Sequence, residues 1–435
     1  MAPEANRKRD GGRSGKQAAR GVWWHHGGMR LPSLLASVAL GTTLTAALAC
    51  GSVVDRENSG VPGTCIGEAP ALEPMRTDIL FVVDNSNSMR EEQEGVATEL
   101  PEFVRALQAG GGLTQDFRVG LVTTSVYQQA IVPGGIDYRD FSDIGEAGRL
   151  RPVPEADGRI RADAPRWIEG TDPELLPKFQ RLIQQGTFGS GQETPFEAAL
   201  LAVTDPLTAI EPDAGGNAGF LRDGARLLVV VVSDEDDCSE RARPPAVAVG
   251  TDPSRDWCNE RAEDLTPVSA YVDAFHALSD TTGARREVLW ASIAPVALED
   301  KRAEAVVDGT QLRNVGCPTS RGPGLRQREM AEAFDPSLRN LDSICRPSYR
   351  ESLIAIAAIA NENQTVEVRN LPDPGLLQVR ITRADGTVQT CTESNGGFTY
   401  SPPLREDESG RIHFTAECPR RTDDQSVELM LLCAE

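Results

Sequence analysis

Asp84, Ser86 and Ser88 stand at alternate positions directly after an apolar run, Ile79-Leu80-Phe81-Val82-Val83. One carboxylate and two hydroxyls within five residues make a set of hard oxygen donors, the ligands that Mg²⁺ and Ca²⁺ take. A second use of the same residues is local. Asp and Ser also cap helices by accepting backbone N–H bonds, and a helix is expected shortly downstream.

The string Asp84-Asn85-Ser86-Asn87-Ser88 resembles the metal-ion-dependent adhesion site of von Willebrand factor type A domains. The resemblance implies two further parts. A threonine after a Gly-rich loop, about six residues before a helical Leu or Ile, is matched by Thr194 and Leu200, behind Gly189-Ser190-Gly191. A second aspartate closing the central buried strand is matched by Val232-Ser233-Asp234. The family pattern then implies a cation, Mg²⁺ or else Mn²⁺ or Ca²⁺, held by Asp84, Ser86, Ser88, Thr194 and Asp234. With Ser86, Ser88 and Thr194 as neutral direct ligands, the ion would stay electrophilic enough to take a partner's carboxylate. This chain departs from the family after Asp234, where Glu235-Asp236-Asp237-Cys238 replaces the usual Gly. Those acids could quench the metal's pull or bind Ca²⁺ themselves, but the expectation is a solvated loop pinned by a Cys238–Cys258 disulfide.

Apolar periodicity supplies the elements that must position these residues. Strands are expected at about 77–83, 116–124, 227–232 and 287–293. Helices are expected on the Val96, Leu100, Phe103, Val104 and Leu107 face (weakened at Pro101), at 173–185, from 195 to about 204, at 267–278 and at 349–360. Leu227–Val232 is uninterrupted apolar sequence, as in a parallel strand buried on both faces. Residues 126–172 read as an irregular insertion. Strands alternating with helices over 76–362 predict an α/β fold, a doubly wound and mostly parallel sheet of Rossmann-like, type A character. From 363 to 435 short strands and turns follow, Asp385-Gly386 among them, and predict a small all-β domain with disulfide support.

Enzymatic readings find little footing. There is no P-loop, no His-Glu-x-x-His and no Cys-x-x-Cys, and Gly189-Ser190-Gly191 lacks the rest of a nucleophile elbow. Beyond residue 50 only His276 and His413 remain, the first expected at a core edge and the second in a strand. A metal hydrolase built on Asp84 and Asp234 ranks third, because no base is visible near them. The chain is therefore not read as an enzyme.

The net charge of the 435 residues is −21, and residues 51–435 hold 37 basic against 63 acidic groups. That balance argues against a broad nucleic-acid surface. Met29-Arg30 and the apolar run Leu31–Ala49 read as a signal peptide, and Leu44–Cys50 resembles a bacterial lipobox with Cys50 as the lipidated residue. Residues 1–28 read as a misplaced start or a long n-region, and 50–75 as a linker. Nine cysteines less Cys50 leave an even set suited to an oxidising compartment. Cys238 with Cys258, and Cys317 with Cys345, each close a loop within one connection. Cys65, Cys391, Cys418 and Cys433 would form two more bridges. The expectation is an exported lipoprotein of a bacterial envelope, at the outer membrane or facing the periplasm, that binds a protein or matrix partner through its metal. The alternative is an envelope structural or assembly protein whose metal only stabilises the fold.

Overall fold

The computed structural model describes residues 71–431 apart from 110–111, 114, 321, 363, 370–376, 403–408 and 422. The expected leader, Cys50, Cys65 and Cys433 lie outside the described residues. In chain order the elements begin with β1 (Ala71–Leu72), β2 (Met75–Val83), α1 (Arg90–Ala109) and β3 (Gln115–Thr123). Next come β4 (Tyr127–Val132), β5 (Gly135–Asp140), β6 (Trp167–Glu169), α2 (Leu175–Leu182), α3 (Pro195–Ala202) and β7 (Arg226–Val232). These are followed by α4 (Val268–His276), β8 (Val288–Ala294), β9 (Ala305–Asp308), β10 (Gln311–Asn314), α5 (Leu325–Phe334), β11 (Leu341–Ser343) and α6 (Arg350–Asn361). The last strands are β12 (Thr365–Arg369), β13 (Leu377–Thr382), β14 (Val388–Thr392), β15 (Phe398–Ser401), β16 (Gly410–Phe414) and β17 (Ser426–Leu431).

The central sheet has the order β11-β8-β7-β2-β3-β6, parallel except for β6, which runs antiparallel to β3. Side-chain alternation divides the core into two layers. Ile79, Phe81 and Val83 of β2 pack with α1, α2 and α6. Leu80 and Val82 pack with α3, α4 and α5 on the other face. Every residue of β7 is buried, Leu227–Val232 as their unbroken apolar sequence requires and Arg226 by donating to Thr77 Oγ1 and the Ala360 carbonyl. The fold is mixed α/β with a mostly parallel central sheet and separate antiparallel sheets.

Three segments differ from the sequence expectations. The stretch read as irregular, 126–172, contains the β4–β5 hairpin and the antiparallel edge strand β6. The β9–β10 hairpin, helix α5 and strand β11 lie between 293 and 349, where no element was expected. The end of the expected linker is a strand: β1 pairs with β12, so residues 71–72 join the C-terminal sheets.

Those sheets, β1-β12-β16-β15 and β14-β13-β17, enclose a core that includes Val366, Val379, Ile381, Phe398 and Ile412. Met75, which opens β2, and Leu113, which precedes β3, belong to the same core. Disulfides join Cys391 to Cys418, Cys238 to Cys258 and Cys317 to Cys345.

Candidate metal centre

Strands β2 and β7 are neighbours, but the chain leaves β2 toward β3 on one side and reaches β7 on the other. Such a reversal opens a crevice at the carboxyl ends of the two strands, where open α/β sheets hold ligands. Asp84 follows β2 and its N–H donates to the Val232 carbonyl at 2.9 Å, which fixes the two strand ends together.

The oxygen residues gather around that junction. Ser86 N–H donates to Asp84 Oδ1 at 2.7 Å, and the Oγ atoms of Ser86 and Ser88 lie 3.1 Å apart. Ser88 donates to Asp234 Oδ1 at 3.2 Å, and Ser233 donates to Asp84 Oδ2 at 2.7 Å. Thr194 comes in from the third side. Its hydroxyl donates to the Thr124 carbonyl at 2.6 Å, and Thr124 N–H donates to the Val83 carbonyl at 3.2 Å. Direct polar contacts thus connect Asp84, Ser86, Ser88 and Asp234, while Thr194 reaches the group through Thr124. The side chains of Asp84 and the two serines bond within this group rather than to the first N–H groups of α1, which sets aside the helix-capping use.

Three residues that the spacing did not single out complete the centre. Glu193 is 1% exposed; its Oε2 accepts from Thr124 Oγ1, and its Oε1 has no hydrogen-bond partner. Gln93 of α1 donates to the carbonyls of Asp84 at 2.8 Å and Gly186 at 2.9 Å, and accepts from Gly186 N–H at 3.1 Å. Asn85 accepts from Ser125 Oγ at 2.8 Å, and its carbonyl accepts from Gly189 N–H at 2.7 Å. That approach needs a glycine, because a Cβ on residue 189 would stand 2.2 Å from Asn85 Oδ1. Glu193 was legible only as the neighbour of Thr194.

The electrostatics are one-sided. Burial pushes the Asp84 carboxyl above its ordinary range. Glu193 and Asp234 are driven well above theirs, by burial first and then by the charges of Asp84 and Glu235. No Arg or Lys among the described residues forms an ion pair with Asp84, Glu193 or Asp234. The donors present fit a hard divalent cation: buried carboxylates, one of them with an unpartnered oxygen, and hydroxyls whose protons are directed elsewhere. Among the described residues no three His, Cys, Asp or Glu side chains are grouped to hold a metal by themselves. Hydroxyls would have to supply the rest of the shell.

The acidic stretch after Asp234 is not a solvated loop. Asp236 and Asp237 are buried. Asp236 accepts the backbone N–H groups of Arg326 and Gln327, each at 3.1 Å, and so caps the first turn of α5. Asp237 pairs with the Arg326 guanidinium at 3.0 Å and accepts from Phe196 N–H at the start of α3. Burial raises the Asp236 carboxyl to about 7. Helix α5 is the cause: its N-terminus is the partner that a charged loop was not expected to have. The disulfide-linked Cys238 is tied to the centre as well, donating its N–H to the Glu193 carbonyl at 2.7 Å.

Neither histidine belongs here. His276 is exposed rather than at a core edge and tilts against Phe334, with ring centroids 4.9 Å apart. His413 sits in β16 and bonds to Thr365 and Ser401.

No family model matches the chain, and no curated protein matches it. Among solved structures it is similar to proximal thread matrix protein 1 of the mussel byssus, at 11% identity and TM-score 0.29, over 68% of this chain and 50% of that one. It is also similar to the pilus adhesin SpaC of Lactobacillus rhamnosus GG, at 11% and 0.32, over 81% and 38%. A third is the conserved hypothetical protein BatB of Bacteroides thetaiotaomicron, at 11% and 0.30, over 66% and 97%. The chain thus spans half of the thread matrix protein and 38% of the adhesin. At this depth of likeness, what the centre does has to be argued from its own geometry.

Proposed function

We propose that Asp84, Ser86, Ser88, Thr194 and Asp234 hold a divalent cation, Mg²⁺ or a similar hard ion, through which the protein binds an acidic side chain of a protein or matrix partner. The observation that carries this reading is the convergence of all five residues on the β2–β7 switch point. The proton of Ser88 goes to Asp234 and that of Thr194 to a backbone carbonyl, which leaves oxygen lone pairs for a cation. A doubly wound sheet with one antiparallel edge strand supports a von Willebrand factor type A reading of the same residues. Phe188, 91% exposed on the loop that Gly189 anchors to Asn85, offers an aromatic contact beside the centre. In this reading the chain is exported and anchored by a lipid on Cys50, and its three described disulfides suit an oxidising compartment.

Glu193 favours a second reading. A third buried carboxylate weakens the pull of a cation on an acidic partner, and the metal would then serve fold stability in an envelope structural or assembly protein. Immobilised protein incubated with envelope extract, with Mg²⁺ or with EDTA, separates the two. Specific capture that EDTA and Asp234→Asn both abolish is the expected result. Capture indifferent to both, from protein that still responds thermally to Mg²⁺, would instead establish the structural role.

A further inference from the structure

The β4–β5 hairpin leaves one strand edge uncovered. All six residues of β5 are exposed, Ile136 at 61% and Tyr138 at 38%. Strand β4 is covered on its outer side: Ile131 N–H donates to the Val249 carbonyl, and Val249 N–H donates to the Gln129 carbonyl, both at 2.8 Å. Facing residues of an antiparallel pair alternate between exchanging backbone hydrogen bonds and turning those groups away from each other. Ile131 and Gln129 turn theirs away from β5. Their opposites, Ile136 and Tyr138, therefore turn theirs outward as well. Among the described residues no strand pairs with that outer edge.

Such an edge is a template for another strand. We propose that it takes β5 of a second copy of this chain, antiparallel, about a two-fold axis at Tyr138. The outward groups then match, Tyr138 with Tyr138 of the second copy and Ile136 with Asp140 of the second copy. In this register Asp137 faces Arg139 of the second copy, and the symmetry makes the pair twice. Both side chains are available for it. Asp137 is exposed, and Arg139 is exposed with its guanidinium over the Phe141 ring, 4.2 Å from the centroid. Opposite charges at directly facing positions favour a pairing, and like charges oppose it. Sliding the strands by two residues either way sets Asp137 against Asp137 or Arg139 against Arg139. The sequence Gly-Ile-Asp-Tyr-Arg-Asp thus selects one register. Two six-residue strands bury less than the roughly 1,200 Å² of a stable interface, so the dimer is weak and grows with concentration.

Cysteine cross-linking of the full-length chain tests this without an isolated fragment. In the proposed register the Tyr138 Cα atoms lie about 5.5 Å apart, within disulfide reach. Tyr138→Cys should give a reductant-sensitive dimer, while Ile136→Cys, opposite residue 140, should not. In the Tyr138→Cys background, Asp137→Arg or Arg139→Asp alone should cut the cross-linked fraction about tenfold. Mixing those two variants should restore it, because each then meets opposite charges. Thermal midpoints should match wild type, since all these side chains are exposed. No dimer from Tyr138→Cys, equal dimer from Ile136→Cys, or a mixture no better than its components would each overturn the proposal.

Discussion

Gln180 donates its side-chain N–H to the carbonyl of Ala97 at 3.0 Å, the carbonyl that Pro101 leaves without its helical partner. A proline inside a helix removes the bond to the residue four before it. Helix α1 nevertheless continues through Pro101 for two further turns. A side chain of α2 therefore substitutes for a missing backbone donor and ties two helices of one layer together. Gln180→Ala should destabilise the protein by about 1–2 kcal/mol in urea unfolding. In a Pro101→Ala background, where the backbone N–H returns, the same change should cost measurably less. Equal costs in both backgrounds would show that the Ala97 carbonyl is not what Gln180 serves.

Saturating Mg²⁺ should raise the thermal midpoint of the wild type. At a ligand concentration one hundred times Kd the stabilisation is about 2.7 kcal/mol. Asp84→Ala and Thr194→Ala should remove the shift. Without metal, Asp234→Asn should be at least as stable as wild type, because it removes one of several buried acids that repel each other. An undiminished Mg²⁺ response in the Asp84 and Thr194 variants would discard the assignment of the centre.

Gly189→Ala places a methyl where Asn85 Oδ1 stands. Because Asn85 lies inside the Asp84–Ser88 loop, the variant should lose about 1–3 kcal/mol of stability and a matching part of its Mg²⁺ response. Differential scanning calorimetry with and without Mg²⁺ reads both at once.

Asp78, at the other end of β2, gives a prediction about pH. Its carboxylate is fully buried and held by Arg222 at 2.7 Å, with Arg286 at 3.9 Å. Burial outweighs the pull of Arg222, and the carboxyl sits above its ordinary value. The folded state therefore holds this proton more tightly than the unfolded chain does. The resulting stabilisation is fully present below the unfolded value of 3.8 and is lost as pH rises through the higher folded value. Asp78→Asn should flatten the decline in stability from pH 4 toward neutrality, measured as the difference from wild type across a pH series of urea melts. A difference independent of pH would contradict this sign.

The centre was legible where its chemistry is compressed into short strings at element ends, such as Asp84 to Ser88 at the close of a strand and Thr194 at the opening of a helix. Glu193, Gln93 and Asn85 act through partners distant in sequence, and no spacing announces them. The parts of the fold that escaped notice have identifiable reasons. Strand β6 is three residues inside a long insertion, and β1 is two. Helix α5 turns the side chains of Arg326 and Gln327 inward to meet Asp237 and the Glu235 carbonyl, so its buried face is partly polar and shows no apolar period. The same contacts turned the acidic stretch from a presumed surface loop into a buried clamp.

Met75 opens β2 beside the C-terminal sheets, and Asp84 follows the strand's far end, about 30 Å away at the usual rise per residue. Because β1 belongs to those sheets, residues 71–72 lie at the end of β2 opposite the candidate centre. The oxygen cluster, the exposed Phe188 and the β4–β5 hairpin therefore share the end of the central sheet away from the C-terminal sheets, and a partner can reach all three without meeting those sheets.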